Sequence, residues 1–207
     1  MDYVKQVDSN HYEFNRYLTK ERWISIWHQL DEVQKLKPDR VLEVGPGPGL
    51  FKVVARSVGI NVETMDLDPD LKPDHVGSAM GMPFADGFYD VVCAFQMLEH
   101  LPYELSLQAF SEFVRVSRRY VVISLPDARI AWRYQIQIPL LGMYSFLVPC
   151  PQIKAQPHKF DGEHYWEINK QGYPLSRVIK DFSRYARLVN TYRVHENPYH
   201  RFFVFER

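Results

Sequence analysis

The stretch from Arg40 to Leu50 restricts the fold of this chain more than any other, because a short apolar run ends there in three alternating glycines. Directly afterwards, residues 51–56 resume an apolar pattern with helical spacing. A strand, a glycine turn and a helix in this order form the first half of a βαβ unit. The next apolar run ends at Asp66. We therefore expect this carboxylate at the carboxyl end of the second strand, where an acidic residue can bind both hydroxyls of a ribose.

The spacing of the glycines favours one kind of nucleotide-like ligand. After Gly45, Gly47 and Gly49, Leu50 stands where a nicotinamide-binding fingerprint has its third glycine, and no Gly-Lys-Ser/Thr follows for a phosphate loop. Glu43 precedes the first glycine by two residues, and its carboxylate would repel a pyrophosphate but suits a cation. S-adenosylmethionine has an ammonium group, a sulfonium and no phosphate, so the pattern favours this cofactor. A glycine turn that binds no ligand is the alternative.

Further motifs follow the glycine turn in order, at residues 65–69, 82–92, 97–101 and 120–126. Together with it they resemble the class I S-adenosylmethionine-dependent methyltransferases, in particular the small-molecule group called type 11. The resemblance implies an α/β fold: a Rossmann-like, seven-stranded, mostly parallel sheet with an antiparallel last strand and helices on both faces. Cover insertions after the fifth strand are common in such enzymes.

The resemblance also implies roles for individual residues. Glu43 and Gln96 would contact the amino acid part of the cofactor, and Asp66 would hold the ribose. The three glycines would let the cofactor approach the main chain closely. Ser78 stands where relatives usually have an aspartate that contacts the adenine amino group. A hydroxyl can accept one hydrogen bond there, without the charge of a carboxylate. The cofactor-binding residues implied in this way are Glu43, Gly45, Gly47, Gly49, Asp66, Leu67, Ser78, Ala79, Met80 and Gln96.

His100 is the predicted general base, because it follows the fourth strand and its pKa range suits proton transfer at neutral pH. In the alternative interpretation, His100 only packs beneath or caps the helix that begins after Pro102. Glu99 and His100 also resemble part of a metal-binding pattern in some quinone-biosynthesis and small-RNA methyltransferases. Those families have a carboxylate three residues before the glutamate, and this chain has Gln96 there. We therefore predict no metal.

Two other histidines, His158 and His164, lie six residues apart in an aromatic region without the spacing of metal ligands on a helix. We expect them to be surface or substrate-cover residues.

The balance of charge and the size of the chain limit the possible partners. The chain has 207 residues, with 25 basic and 25 acidic side chains, which predicts one domain and no general attraction to nucleic acid. Cys93 and Cys150 have no metal-like spacing and are expected to stay reduced. The first residues lack a signal peptide, and the apolar segment 136–148 is too short to span a bilayer. We therefore expect a cytoplasmic protein that does not insert stably into membranes.

The single domain, residues 1–207, is expected to have four parts: an N-terminal helical cap (1–37), the cofactor-binding core (38–126), a cover insertion (127–174), and a C-terminal helix with a strand hairpin (175–207). Aromatic residues of the insertion, together with Tyr12, Phe14 and Tyr17, are expected to cover the methyl-donating end of the cofactor. A packed peripheral subdomain is the alternative for the insertion.

The predicted function is methyl transfer from S-adenosylmethionine to a small-molecule or lipid-linked acceptor at oxygen, with S-adenosylhomocysteine as product. The residues after the fourth strand lack the Asn/Asp-Pro-Pro-Tyr motif of amino-directed DNA and protein-glutamine methyltransferases. A catalytically silent, methyltransferase-like binding protein is the alternative from another class.

Overall fold

A computed structural model describes residues 18–152 and 154–207. In these residues four α-helices, two short 3₁₀ helices (Pro69–Leu71 and Leu98–His100) and nine strands are present. The helices are α1 (Lys20–Lys35), α2 (Leu50–Ser57), α3 (Tyr103–Val116) and α4 (Leu175–Phe182). The strands are β1 (Val41–Val44), β2 (Val62–Asp66), β3 (His75–Val76), β4 (Tyr89–Phe95), β5 (Ser117–Pro126), β6 (Ala131–Ile138), β7 (Gly142–Pro149), β8 (Arg187–Arg193) and β9 (His200–Glu206).

Seven strands form one sheet in the order β3-β2-β1-β4-β5-β9-β8. The first five are parallel, while β9 pairs antiparallel with both β5 and β8. The predicted mostly parallel sheet with an antiparallel last strand is confirmed. Because β1 lies between β2 and β4, the order of the strands reverses beside β1, and open α/β sheets bind ligands at the carboxyl ends of the strands there.

Helices cover both faces of the sheet, as predicted. Alternate residues of β4 belong to different cores: Val92 and Ala94 pack with α3 and α4, whereas Val91 and Cys93 pack with α1 and α2. This alternation follows from the two-residue period of a strand. It also explains why β1 and β4 are buried over their whole length, as strands covered on both faces must be.

The large apolar side chains of α1 are only partly buried. Ile26 and Val33 are buried against the sheet, but Trp23 and Trp27 are 48% and 58% exposed. Trp23 and Trp27 are four residues apart, so they share a helix face, and that face does not turn toward the core.

The insertion contains a β-hairpin that the sequence analysis missed. β6 and β7 form a separate two-stranded antiparallel sheet, with register from Ala131↔Pro149 to Ile138↔Gly142. The alternation of apolar and polar residues through β6 has the period of a strand and could have predicted it. Later in the insertion, Trp166 is fully buried, with its ring 4.9 Å from that of Tyr103. None of the helices described is long and apolar enough to cross a membrane.

Candidate cofactor and catalytic cleft

A cleft of about 750 Å³ opens at the carboxyl ends of the central strands. It is the size expected of a small-molecule site. Most of the predicted site residues meet there, although they come from four separate stretches of the chain. The predicted residues that line it are Gly45, Gly47, Asp66, Leu67, Ser78, Ala79, Met80, Gln96 and His100.

The glycine turn adopts the backbone conformation that its composition predicts. Gly45, Gly47 and Gly49 all have positive φ, at 71°, 54° and 73°. Gly45 also lies where a side chain would not fit, since an added Cβ would come 2.5 Å from Cγ of Met97. Gly49 instead has open space around its Cα and caps the start of α2. The turn therefore requires glycine for conformation at all three positions and for space at Gly45.

Because a side chain fits at Gly49 but not at Gly45, alanine substitutions at these two positions should lower the free energy of unfolding by different amounts. Gly49→Ala is expected to lower the free energy of unfolding by about 1 kcal/mol, from the left-handed conformation alone. Gly45→Ala is expected to cost about 1–3 kcal/mol more, because Met97 must move as well. Denaturant unfolding of both variants measures the difference. Equal losses would show that Met97 accommodates the methyl group freely.

Asp66 lies at the end of β2, with its carboxylate at the floor of the cleft. Its Oδ1 accepts a hydrogen bond from the backbone N–H of Asp68 at 2.9 Å, which orients the side chain. Asp68 caps the next turn, since its own Oδ1 accepts from the N–H of Asp70 at 3.0 Å. Asp68 therefore begins the short turn after β2, whereas Asp66 lies at the strand end, where the ribose contact is predicted.

The adenine side of the predicted site contains Leu67, Ser78, Ala79 and Met80. Ser78 Oγ accepts a hydrogen bond from the N–H of Met80 at 3.3 Å, so the hydroxyl stabilises its own turn while it faces the cleft. Ala79 and Met80 pack against the core and give this end an apolar wall. Such a wall suits the faces of an aromatic base.

Gln96 has a left-handed backbone, with φ of 52°, directly after β4. Its N–H donates to the carbonyl of Ser124 at 3.0 Å, and its Nε2 donates to Ser124 Oγ at 3.2 Å. A non-glycine residue in this region is uncommon and often marks a functional site. The bend aims the side chain of Gln96 at the cleft and at a smaller adjoining cavity.

Glu43 lines that smaller cavity rather than the cleft itself. Its side chain is 4% exposed, and among the residues described Oε2 has no hydrogen-bond partner. Burial raises the pKa of the Glu43 carboxyl to about 8, an increase that Lys52 opposes and Asp66 reinforces. An ammonium group beside Oε2 would supply both charge and donors, and its charge would favour the ionised form of the carboxyl.

The raised pKa of Glu43 predicts a pH dependence of stability. In the folded protein the carboxyl of Glu43 keeps its proton up to about pH 8, whereas in the unfolded chain it loses the proton near the ordinary pKa of 4.5. The stability from this group is thus complete below pH 4.5 and is lost as pH rises toward 8. Glu43→Gln should reduce this decline, most clearly between pH 7 and 8, because the pKa of the other buried glutamate, Glu99, is raised only to about 7; unfolding at several pH values measures it. Glu104→Gln, at an exposed site on α3, should leave it unchanged.

His100 and His164 meet at the same cleft, with ring centroids 5.0 Å apart. Nδ1 of His100 lies 3.0 Å from the carbonyl oxygen of Glu163. A carbonyl can only accept, so Nδ1 is the donor and the lone pair of the neutral ring is on Nε2. This tautomer is the one that a base acting through Nε2 requires.

His164 belongs to a hydrogen-bonded group that the sequence analysis did not find. Its Nδ1 pairs with Oε1 of Glu167 at 3.1 Å, and the hydroxyl of Tyr199 donates to the same oxygen at 2.8 Å. Burial disfavours the imidazolium, but Glu167 and the charge of Glu99 outweigh this, so the pKa of His164 is raised. His164 is only 16% exposed and lines the cleft, which fits the substrate-cover alternative of the prediction rather than the surface one. The contact between His164 and His100 could not be predicted from the sequence, because the two residues are 64 positions apart.

Glu99 is fully buried beneath this pair, and neither carboxylate oxygen has a hydrogen-bond partner among the residues described. Burial raises its pKa to about 7, against the opposing charge of His164. Glu99, His100 and His164 each place a possible ligand atom within 4.8 Å of the others, and this donor set is of a kind that can hold a divalent cation. The absence of a metal remains a prediction.

The cover over the cleft differs from the expected one. Glu163 and His164 from the insertion line the cleft, together with Asn197 and Tyr199 from the β8–β9 loop, but no residue of the β6–β7 hairpin does. The expectation that the whole insertion forms the cover is therefore wrong for the hairpin. The predicted contribution of Tyr12, Phe14 and Tyr17 lies outside the described residues.

The strand order, the glycine turn and the cleft at its edge define a class I methyltransferase fold. The sequence profile of the family described as "Methyltransferase domain" matches residues 14–177, most of the chain. The chain belongs to this family, and the predicted resemblance is confirmed. An uncharacterized methyltransferase of Mycobacterium sp. (strain JLS) is 34% identical over 90 residues, which are 38% of this chain and 34% of that protein. The chain thus matches about a third of the length of this relative.

Solved structures share the fold at low sequence identity. A protein from Pyrococcus horikoshii OT3 is 16% identical with a TM-score of 0.62, over 97% of this chain and 99% of that one. Magnesium protoporphyrin IX methyltransferase from Synechocystis PCC 6803, solved with bound SAH, is 12% identical with a TM-score of 0.58, over 90% of this chain and 84% of that one.

Proposed function

We propose that this protein transfers the methyl group of S-adenosylmethionine to a hydroxyl of a small-molecule or lipid-linked acceptor. The observation that supports it most is one cleft that combines a ribose-type carboxylate, Asp66, with the imidazole of His100. The positive-φ glycine turn and the unpartnered oxygen of Glu43 fit the remainder of the cofactor. Family membership and the related enzyme crystallised with SAH support the same cofactor.

S-adenosylmethionine supplies a methyl carbon that its sulfonium activates, so the main tasks of the protein are positioning and exclusion of water. His100 would accept the proton of the acceptor hydroxyl on Nε2 as the oxygen forms its bond to the methyl carbon. The carbon–sulfur bond breaks and its electron pair stays on sulfur, which gives S-adenosylhomocysteine, the methylated acceptor and one proton. Glu163 would hold His100 in the required tautomer.

Calorimetric titration with S-adenosylmethionine, followed by a metabolite screen for products heavier by one methyl group, tests the proposal. We expect cofactor binding at micromolar concentrations and at least one hydroxyl-bearing product. Binding without any transfer would support the silent binding protein instead. No binding at high micromolar concentration would contradict the enzyme and favour the silent protein that binds a partner.

A further inference from the structure

The β6–β7 hairpin has one entirely apolar face that is open to solvent. Residues opposite each other in an antiparallel pair lie on the same face, so the register assigns the side chains. Tyr134 and Phe146 stack across this face with centroids 5.4 Å apart. On the opposite face, Gln135 Nε2 donates to Ser145 Oγ at 3.3 Å. The apolar face, whose side chains are 37–51% exposed, consists of Trp132, Tyr134, Ile136, Ile138, Tyr144, Phe146 and Val148.

The tip of the hairpin extends this apolar surface. Leu140 is 106% exposed and Leu141 is 67% exposed, in a turn closed by a hydrogen bond from Leu141 N–H to the carbonyl of Ile138 at 3.1 Å. Two neighbouring leucines at a fully exposed turn have an unfavourable free energy in water. Exposed apolar surface of this extent marks an interaction site.

The charge around the hairpin identifies the kind of partner. Residues 128–160 contain no aspartate or glutamate, but they contain four cations: Arg129, Arg133, Lys154 and Lys159. Such a segment complements a negatively charged surface. A second copy of the chain would instead bring the same four cations against the first. Tryptophan and tyrosine beside aliphatic side chains are the composition found where proteins meet the boundary between lipid head groups and acyl chains.

The base of the hairpin is fixed beside the cleft. The guanidinium of Arg133 donates to the carbonyl of Glu196, and Nε2 of His195 donates to the carbonyl of Tyr134 at 3.0 Å. The same β8–β9 loop supplies Asn197 and Tyr199 to the cleft wall. A surface bound by the hairpin would therefore lie near the mouth of the cleft.

We propose that the apolar face and tip of the β6–β7 hairpin bind the surface of an anionic phospholipid membrane. The tip leucines enter the interface and the positive charge of residues 128–160 attracts the anionic head groups, without any segment that crosses the bilayer. This binding is a property additional to methyl transfer and does not require it. Where both hold, the hairpin brings the cleft to acceptors that reside in the lipid.

Flotation with phospholipid vesicles tests the proposal on the full chain. We expect the protein to float with vesicles of phosphatidylcholine and phosphatidylglycerol, and to bind pure phosphatidylcholine vesicles more weakly. Leu140→Asp should reduce partitioning about tenfold or more, since a charge at the tip opposes entry. Val189→Asp is a control of equal charge, because Val189 is 50% exposed on β8 and its change should leave partitioning intact. Equal loss in both variants, or no binding to the anionic vesicles, would overturn the proposal.

A fluorescent probe distinguishes lipid from other occupants of the face. In the double variant Leu140→Cys, Cys150→Ser, a polarity-sensitive thiol dye would report the tip alone, since Cys93 is buried. We expect a water-like emission without lipid and a blue shift with anionic vesicles. An apolar emission in lipid-free monomer would mean that the chain covers its own hairpin. Lipid-free dimers that Leu140→Asp dissociates would assign the face to a second copy, and either result would overturn the proposal.

Discussion

Replacement of Asp66 by alanine is expected to lower the affinity for S-adenosylmethionine roughly 30- to 140-fold, because a partly buried carboxylate that holds two hydroxyls contributes about 2–3 kcal/mol. The fold should persist, since Asp66 lines the cleft, and one hydrogen bond that its carboxylate accepts comes from the N–H of Asp68 in the adjoining loop. Isothermal titration calorimetry measures the affinity, and thermal unfolding of the unliganded variant tests the fold.

Asp68→Ala is the matched control for this prediction. Asp68 is two residues away and also borders the cleft, but its carboxylate caps the turn that follows β2. Its loss should cost about 1 kcal/mol of stability, as for other caps, and change cofactor affinity only a few-fold. Equal losses of affinity in the two variants would show that the ribose carboxylate has been assigned to the wrong residue.

Replacement of His100 by alanine is expected to reduce kcat about 10²- to 10⁴-fold, which is the usual contribution of a general base. Cofactor affinity should change little, since the predicted cofactor contacts lie on other residues. Turnover of an acceptor found in the metabolite screen provides the measurement. His158→Ala is the control, because His158 lies outside the cleft lining and its Nε2 donates to the carbonyl of His164 at 2.9 Å. Comparable loss in both variants would mean that His100 only supports the loop.

Because Glu99, His100 and His164 lie close together, the same turnover assay with a chelator tests whether the activity depends on a metal ion. The proposal of a base without a metal predicts that EDTA leaves the turnover of the wild type unchanged. Loss of activity with EDTA and recovery with Mn²⁺ or Zn²⁺ would instead assign these residues to a cation site, for which their ligand atoms lie close enough.

The sequence by itself determined the glycine turn and the flanking strands on the proposed cofactor side of the cleft. The glycine turn, the strand that ends at Asp66 and the buried run of β4 are local patterns. The glycine turn depends on the backbone conformation of a few residues, and each strand depends on the pattern of its neighbouring side chains. Both can therefore be recognised within a few positions of the sequence. The antiparallel last strand was predicted by the resemblance to a family with a known strand order.

Only the tertiary structure decided the acceptor side. His164 meets His100 from 64 positions further along the chain, through a loop that is held by the hydrogen bond from Tyr165 N–H to the carbonyl of Glu99 at 2.9 Å. Tyr199 joins the same group from the β8–β9 loop. The exposure of the β6–β7 hairpin is likewise a property of packing, since an alternating pattern predicts two faces but not whether either is covered. Side chains that converge from distant segments follow no spacing rule, because the path of the backbone between them sets their distance.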